Sequence, residues 1–143
     1  MDDQKKLILD FLKTQLLGVI ATLDEKNNKP EAALVGFTEL PTLELIFGTL
    51  NDTRKFANLQ SNSKIAFVVP GPDMTVQYEG VARMVEGAEL EECRNLHLVK
   101  NPRAARIANN EKQRFFKVKP TWLRYTNFAS KPPHIFELTF EGV

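Results

Sequence analysis

The sequence predicts a mainly β fold: an antiparallel barrel, closed or nearly closed, or a sandwich, flanked by a few helices. Two observations carry this expectation. Short apolar segments bounded by turn residues and joined by short connections recur along the chain, and helical periodicity is confined to a few stretches. The elements follow in order. Residues 3–16, DQKKLILDFLKTQL, place Leu7, Ile8, Phe11, Leu12 and Gln15 at helical spacing among Asp and Lys, an amphipathic helix that should lie on a sheet. LGVIATLD, PEAALVGF and LELIFGT, separated by EKNNK and ELPT, form a meander of three strands. Residues 48–62, GTLNDTRKFANLQSN, read as a strand end, a turn and a helix. KIAFVV, which ends at PGPD, and MTVQYEGVARMVE add two strands, with Gly80 marking a bulge or bend.

GAELEECRNLHLVKN carries Leu90, Cys93, Leu96 and Val99 on one stripe, which predicts a second major helix closed by Asn101-Pro102. PRAARIANN is a shorter helical piece. RFFKVKP, TWLRYTN and HIFELTF return to strand, with the loop FASKPP between the last two. No repeat, low-complexity tract or linker divides the chain, so residues 1–143 are expected to form one domain. In PEAALVGF, Ala33, Val35 and Phe37 occupy one face and Ala32, Leu34 and Gly36 the other, so both sides need cover. The first helix can cover one side, and a partner subunit or a flat apolar ligand is a reasonable second cover.

Composition excludes several classes. A chain of 143 residues with net charge +1, acids and bases mixed throughout, has no field for a nucleic acid or an anionic bilayer. Cys93 is the only cysteine, so no intrachain disulfide and no soft-ligand metal cluster is expected. The start MDDQKK is acidic, and apolar runs such as 16–21 are too short to span a bilayer, so a soluble cytoplasmic protein is expected.

Arg54 and Lys55 open a helix whose first turn should favour acids, because unpaired N–H groups and the macrodipole make that end positive. Asp52 or Thr53 is the expected N-cap. Two readings are open: Asp52 and solvent neutralise the cations, or a phosphate sits there on backbone N–H groups, the Thr49 and Thr53 hydroxyls and both cations. The glycine-rich cradle of a Walker loop is absent, so such a phosphate would belong to a small ligand. His97 and His134 lack metal-ligand spacing. Cys93 is expected as a packing thiol, and Glu89, Glu91 and Glu92 as a wet helix face. Trp122 is read first as barrel core and second as an aromatic wall beside a bound ring. Lys117, Lys119 and Arg124 are read as a solvated strand face, or as a basic rim that draws in an anionic substrate.

The run LELIFGTLNDTRKFANLQSNSKIAFVV resembles the pyridoxamine 5′-phosphate oxidase-like, FMN-binding split-barrel family. Gly48-Thr49, Thr53-Arg54-Lys55, Asn62 and the strand 65–69 match its motif order, and the strand 30–38 and TVQYEG also fit. The resemblance covers about residues 17–85 and, more loosely, PTWLRY and the last strand. It implies a homodimer of six-stranded antiparallel split β-barrels of Greek-key type, with FMN at the subunit interface. Val35, Gly36 and Phe37 would line the ring, and Thr49, Thr53, Arg54 and Lys55, following Gly48, would take the phosphate. The biosynthetic oxidases carry Arg and Lys where this chain has Ala33 and Thr38, Gln where it has Thr75, and an arginine-containing carboxyl end where it has FELTFEGV. The biosynthetic reaction is therefore not expected, and fewer charged phosphate contacts imply weaker FMN binding. The resemblance implies an FMN flavoprotein, an oxidoreductase of unspecified substrate and electron donor. The alternatives are a flavin-storing, sensing or stress-related binding protein, or a relative using deazaflavin or heme.

Overall fold

The computed structural model describes residues 2–141. Its strands are β1 (Leu17–Asp24), β2 (Lys29–Gly36), β3 (Thr38–Glu39), β4 (Leu45–Leu50), β5 (Lys64–Pro70), β6 (Met74–Met84), β7 (Gln113–Asn127) and β8 (His134–Thr139). The helices are α1 (Asp3–Lys13), α2 (Arg54–Ser61), α3 (Gly87–Lys100) and, after a 3-10 turn at Pro102–Ala104, α4 (Ala105–Ala108).

One antiparallel sheet runs β2-β1-β5-β6-β7-β4-β3, with β8 added to β7. β2 and β3 lie at opposite ends of this order, yet Phe37 alone separates them in the chain. The sheet must therefore curl until its edges approach, which makes a split barrel. β2-β1-β5-β6-β7-β4 make up the curled part of an eight-stranded sheet, while β3 has two residues and β8 extends one flank.

β7 corrects the sequence reading, because RFFKVKP and TWLRYTN are one strand of 15 residues. Its first part pairs with β4 (Gln113 to Val118) and its second with β8 (Trp122 to Asn127). Pro120, which has no N–H for a ladder bond, is tolerated because the β6–β7 register shifts between Glu79 and Gly80, the irregularity expected at Gly80. The backbones come so close there that a Cβ on Gly80 would stand 2.5 Å from the Lys119 carbonyl oxygen.

Inside the barrel, Ile20, Phe37, Leu45, Phe47, Val69, Tyr78, Val118 and Leu123 are fully or almost fully buried. α1 closes one end with Ile8, Leu9, Phe11 and Leu12, and the Phe11 ring lies against Gly71 at the β5–β6 turn. Leu7, expected on that face, is exposed, and Leu9 is buried instead. α2 covers the other end, where Asn58 Nδ2 donates to Thr22 Oγ1 of β1 at 2.9 Å. α3 lies on the outer side of β4 and β7, burying Ile46, Val85, Cys93 and Phe115.

The predicted stripe of α3 is only partly correct. Cys93 is buried as expected, but Leu96 is 40% and Val99 82% exposed. His97 takes the inward position, four residues after Cys93 and so one helical turn along the same face. Glu89 also departs from the wet-face expectation. It accepts from both Arg83 Nη atoms at 2.7 and 2.6 Å and pairs with Lys117 at 3.1 Å, fastening the first turn of α3 to the sheet. Hydrogen bonds from Arg83 and Lys117 hold its carboxyl down at about 2. Lys117 and Arg124, expected as solvated, are ion-paired with Glu89 and Glu137 respectively.

Candidate cofactor site

The strand–turn–helix at β4 and α2 folds as its sequence requires. Thr53 is the N-cap: its backbone is extended, and its hydroxyl accepts from Phe56 N at 3.3 Å. Thr49 Oγ1 and Thr53 Oγ1 lie 2.8 Å apart, and Thr53 Oγ1 also donates to the Leu50 carbonyl at 3.0 Å. Thr49, Thr53, Arg54 and Lys55 are thus brought together, Gly48 just before them on β4. Asp52 does not neutralise these cations; it pairs with Lys112 at 3.2 Å.

The group facing Arg54 is a carboxylate that sequence reasoning missed. Glu31 Oε2 lies 2.9 Å from Arg54 Nη1 and 3.3 Å from Lys29 Nζ, and Oε1 accepts from Asn58 Nδ2 at 2.9 Å. The Asn58 amide foremost, then Lys29 and Arg54, holds the Glu31 carboxyl below its ordinary pKa. A signal was available: Glu31 shares the inward face of β2 with Ala33 and Val35, and an acid there requires a partner. Lys55 differs from Arg54. Among the described residues no carboxylate lies within ion-pair distance of its ammonium, and partial burial lowers its pKa. A cleft of about 190 Å³ is lined by Thr22, Glu31, Ala32, Ala33, Thr53, Arg54 and Lys55.

Of the residues expected to line a ring, Val35 and Phe37 are buried, and Phe37 packs edge-on to Phe67 at 5.7 Å. Their side chains serve the core, which leaves the backbone of this strand and its outward residues for a ligand. Thr38 is likewise committed: its hydroxyl shares a hydrogen bond of 2.9 Å with His97 Nδ1. Asn101 Nδ2 donates to the Phe37 carbonyl at 3.1 Å, and Lys100 Nζ stands 3.9 Å from the centre of the Phe37 ring while pairing with Glu39. The end of α3 thereby pins the corner where β2 becomes β3.

The outer sheet face carries the second cover problem foreseen from the sequence. Register aligns Leu34, Val19, Val68, Gln77 and Arg124 in one row and Ala32, Ala21, Ala66, Glu79 and Trp122 in the next. Leu17 and Leu34 are 50% and 64% exposed on it. Trp122 is therefore not barrel core. It stands partly exposed on this outer face, its Nε1 donating to Glu137 at 3.1 Å, beside a shallow cleft shared with Val19, Ala21, Val68 and Gln77. Thr75 is on the same side of β6 but next to the β5–β6 turn, the far end of the hairpin from α2. Within one protomer Thr75 and Trp122 do not join the cleft at α2.

A curled sheet with plugged ends and an outer face this apolar defines the split-barrel class. The family model described as pyridoxamine 5′-phosphate oxidase matches residues 4–127, and the chain belongs to that family of split-barrel proteins. No curated protein matches the chain. Among solved structures, it is similar to a heme binding protein from Mycobacterium smegmatis, with 17% identity over 97% of this chain and a TM-score of 0.84. The chain spans 59% of the length of that protein. It is also similar to General Stress Protein 26 from Bacillus anthracis, with 20% identity, coverage of 96% of this chain and 100% of that one, and a TM-score of 0.73. A heme storage protein from Vibrio cholerae matches at 14% identity over 80% of this chain and 88% of its own, with a TM-score of 0.70. At these identities the likeness shows a shared fold. Among the described residues no helix is long and apolar enough to cross a membrane.

Proposed function

We propose that the protein is an FMN-binding flavoprotein in which the start of α2 holds the phosphate and a homodimer interface on the outer sheet face encloses the ring. The observation that carries this reading is Lys55: a half-buried ammonium in a small cleft, with no carboxylate partner among the described residues, at a helix start whose first N–H groups have no intrahelical acceptors. The donor set suits a phosphate, since Lys55 and the remaining guanidinium donors of Arg54 border the cleft, while the Thr53 hydroxyl, which donates to the Leu50 carbonyl, fixes the helix start beside them. Glu31 is the one group there that opposes an anion. The apolar rows of β1, β2 and β5 offer a flat surface, and Trp122 supplies an aromatic rim. Family membership supports the reading, because no nucleophile or acid–base pair is needed when a cofactor carries the reaction.

Bound FMN would supply one- or two-electron transfer to a small-molecule donor or acceptor. The chain itself would anchor the phosphate, exclude water from the ring and orient it. Ala33, Thr38 and Thr75 stand where the biosynthetic oxidases carry charged or amide side chains, so turnover of pyridoxamine phosphate is not proposed. The test is to compare the binding of FMN and riboflavin by flavin fluorescence quenching. FMN held at least tenfold more tightly than riboflavin supports the phosphate anchor, and equal affinities contradict it.

A heme reading stands second, favoured by two of the similar structures and by His134, which is exposed beside the Tyr125 and Phe136 rings while His97 is buried. A Soret band on addition of hemin, lost in His134→Ala, would favour it over flavin.

A further inference from the structure

We infer that Glu31 is a specificity-determining residue of the α2 cleft: its carboxylate competes with an incoming phosphate for Arg54, so the site holds phosphate-bearing ligands less tightly than its cations alone would allow. The inference rests on the phosphate reading above and extends it to how strongly, and for which ligand tails, the site selects.

Glu31 is a fixed anion. Its side chain is 8% exposed; it accepts a hydrogen bond from Asn58 at 2.9 Å and is ion-paired with Arg54 at 2.9 Å and Lys29 at 3.3 Å. Asn58 is itself buried and spends its other amide hydrogen on Thr22 Oγ1 at 2.9 Å, so it cannot swing away without losing both bonds. The register pairs Thr22 with Glu31 across β1 and β2, which sets all of these groups at one end of the barrel. The carboxylate borders the same cleft as Thr53 and Lys55.

A phosphate entering that cleft meets two cations, Arg54 and Lys55, and one carboxylate. Like charges a few ångströms apart in a partly desolvated site repel strongly. Arg54 presents five N–H donors, and only Nη1 is engaged by Glu31, so the guanidinium can bridge both anions. Glu31 consequently weakens phosphate binding without abolishing it. A ligand with a neutral tail feels neither the repulsion nor the competition. Replacing the carboxylate by the isosteric amide keeps an acceptor for Asn58 and releases Arg54.

The full chain and its Glu31→Gln variant are titrated with FMN and with riboflavin at fixed ionic strength, with Arg54→Ala and Lys55→Ala measured alongside. The expected result is FMN affinity at least tenfold higher in Glu31→Gln, with riboflavin affinity unchanged. FMN affinity equal to or lower than wild type in Glu31→Gln, while Arg54→Ala and Lys55→Ala both weaken FMN, overturns the inference and leaves the phosphate reading standing. Unchanged FMN affinity in Arg54→Ala and Lys55→Ala overturns the phosphate reading itself. Circular dichroism and thermal melting establish that the variants fold. If Glu31→Gln does not, Glu31→Ala removes the same charge, and the same two outcomes decide.

Discussion

His97 Nδ1 and Thr38 Oγ1 lie 2.9 Å apart in the buried junction between α3 and the corner where β2 passes into β3. Burial first, and then the nearby Lys100 ammonium, depress the imidazole pKa to about 4. The unfolded chain binds that proton near pH 6.5 and the folded one near 4, so the unfolded state binds more protons between these values. Stability is therefore complete above about pH 6.5 and falls as pH drops toward 4, by on the order of 3 kcal/mol from this group. Urea unfolding across this range checks it: wild type should show the loss and His97→Gln a much flatter profile. Parallel pH profiles for the two proteins would contradict it.

Tyr78 Oη donates to the Leu43 carbonyl at 2.8 Å. Leu43 has φ of 70°, a left-handed conformation that a branched residue adopts only when its surroundings impose it. Its side chain is fully buried, so core packing and this hydrogen bond together hold the turn before β4. Tyr78→Phe should destabilise the fold by about 1–3 kcal/mol by stranding a buried carbonyl. Chemical denaturation measures this, and an unchanged midpoint would show that the turn is held by packing alone.

The outer rows of β1, β2 and β5 should bury a second copy. Light scattering is expected to give twice the chain mass, and Leu34→Arg, which adds a charge at an exposed apolar position, should yield folded monomer with at least tenfold weaker FMN binding. A dimer unaffected by Leu34→Arg would place the interface elsewhere.

Much of this was legible in the sequence. Turn chemistry separated most strands, Gly80 announced the β6–β7 irregularity, and Thr53, expected with Asp52 as the N-cap, takes that position. Pro120 misled, since a proline within a strand reads as a break unless the partner's register slip is known. The face of α3 was misread because spacing alone favoured Leu96 and Val99, whereas the bond from His97 to Thr38, 59 residues away, rotates that face inward. The α2 cations were legible, but the partner of Arg54 lies across the sheet, where sequence spacing does not reach. Glu31 meets Arg54 only because β2 pairs with β1 and Asn58 of α2 bonds to both strands.

The most direct measurement is a titration of the apoprotein with FMN in wild type, Arg54→Ala and Lys55→Ala. If the start of α2 grips the phosphate, each substitution removes a charge-assisted contact and weakens binding by about 1.5–3 kcal/mol, roughly 10- to 150-fold. Equal affinity in all three proteins would contradict the assignment of the phosphate to this helix start.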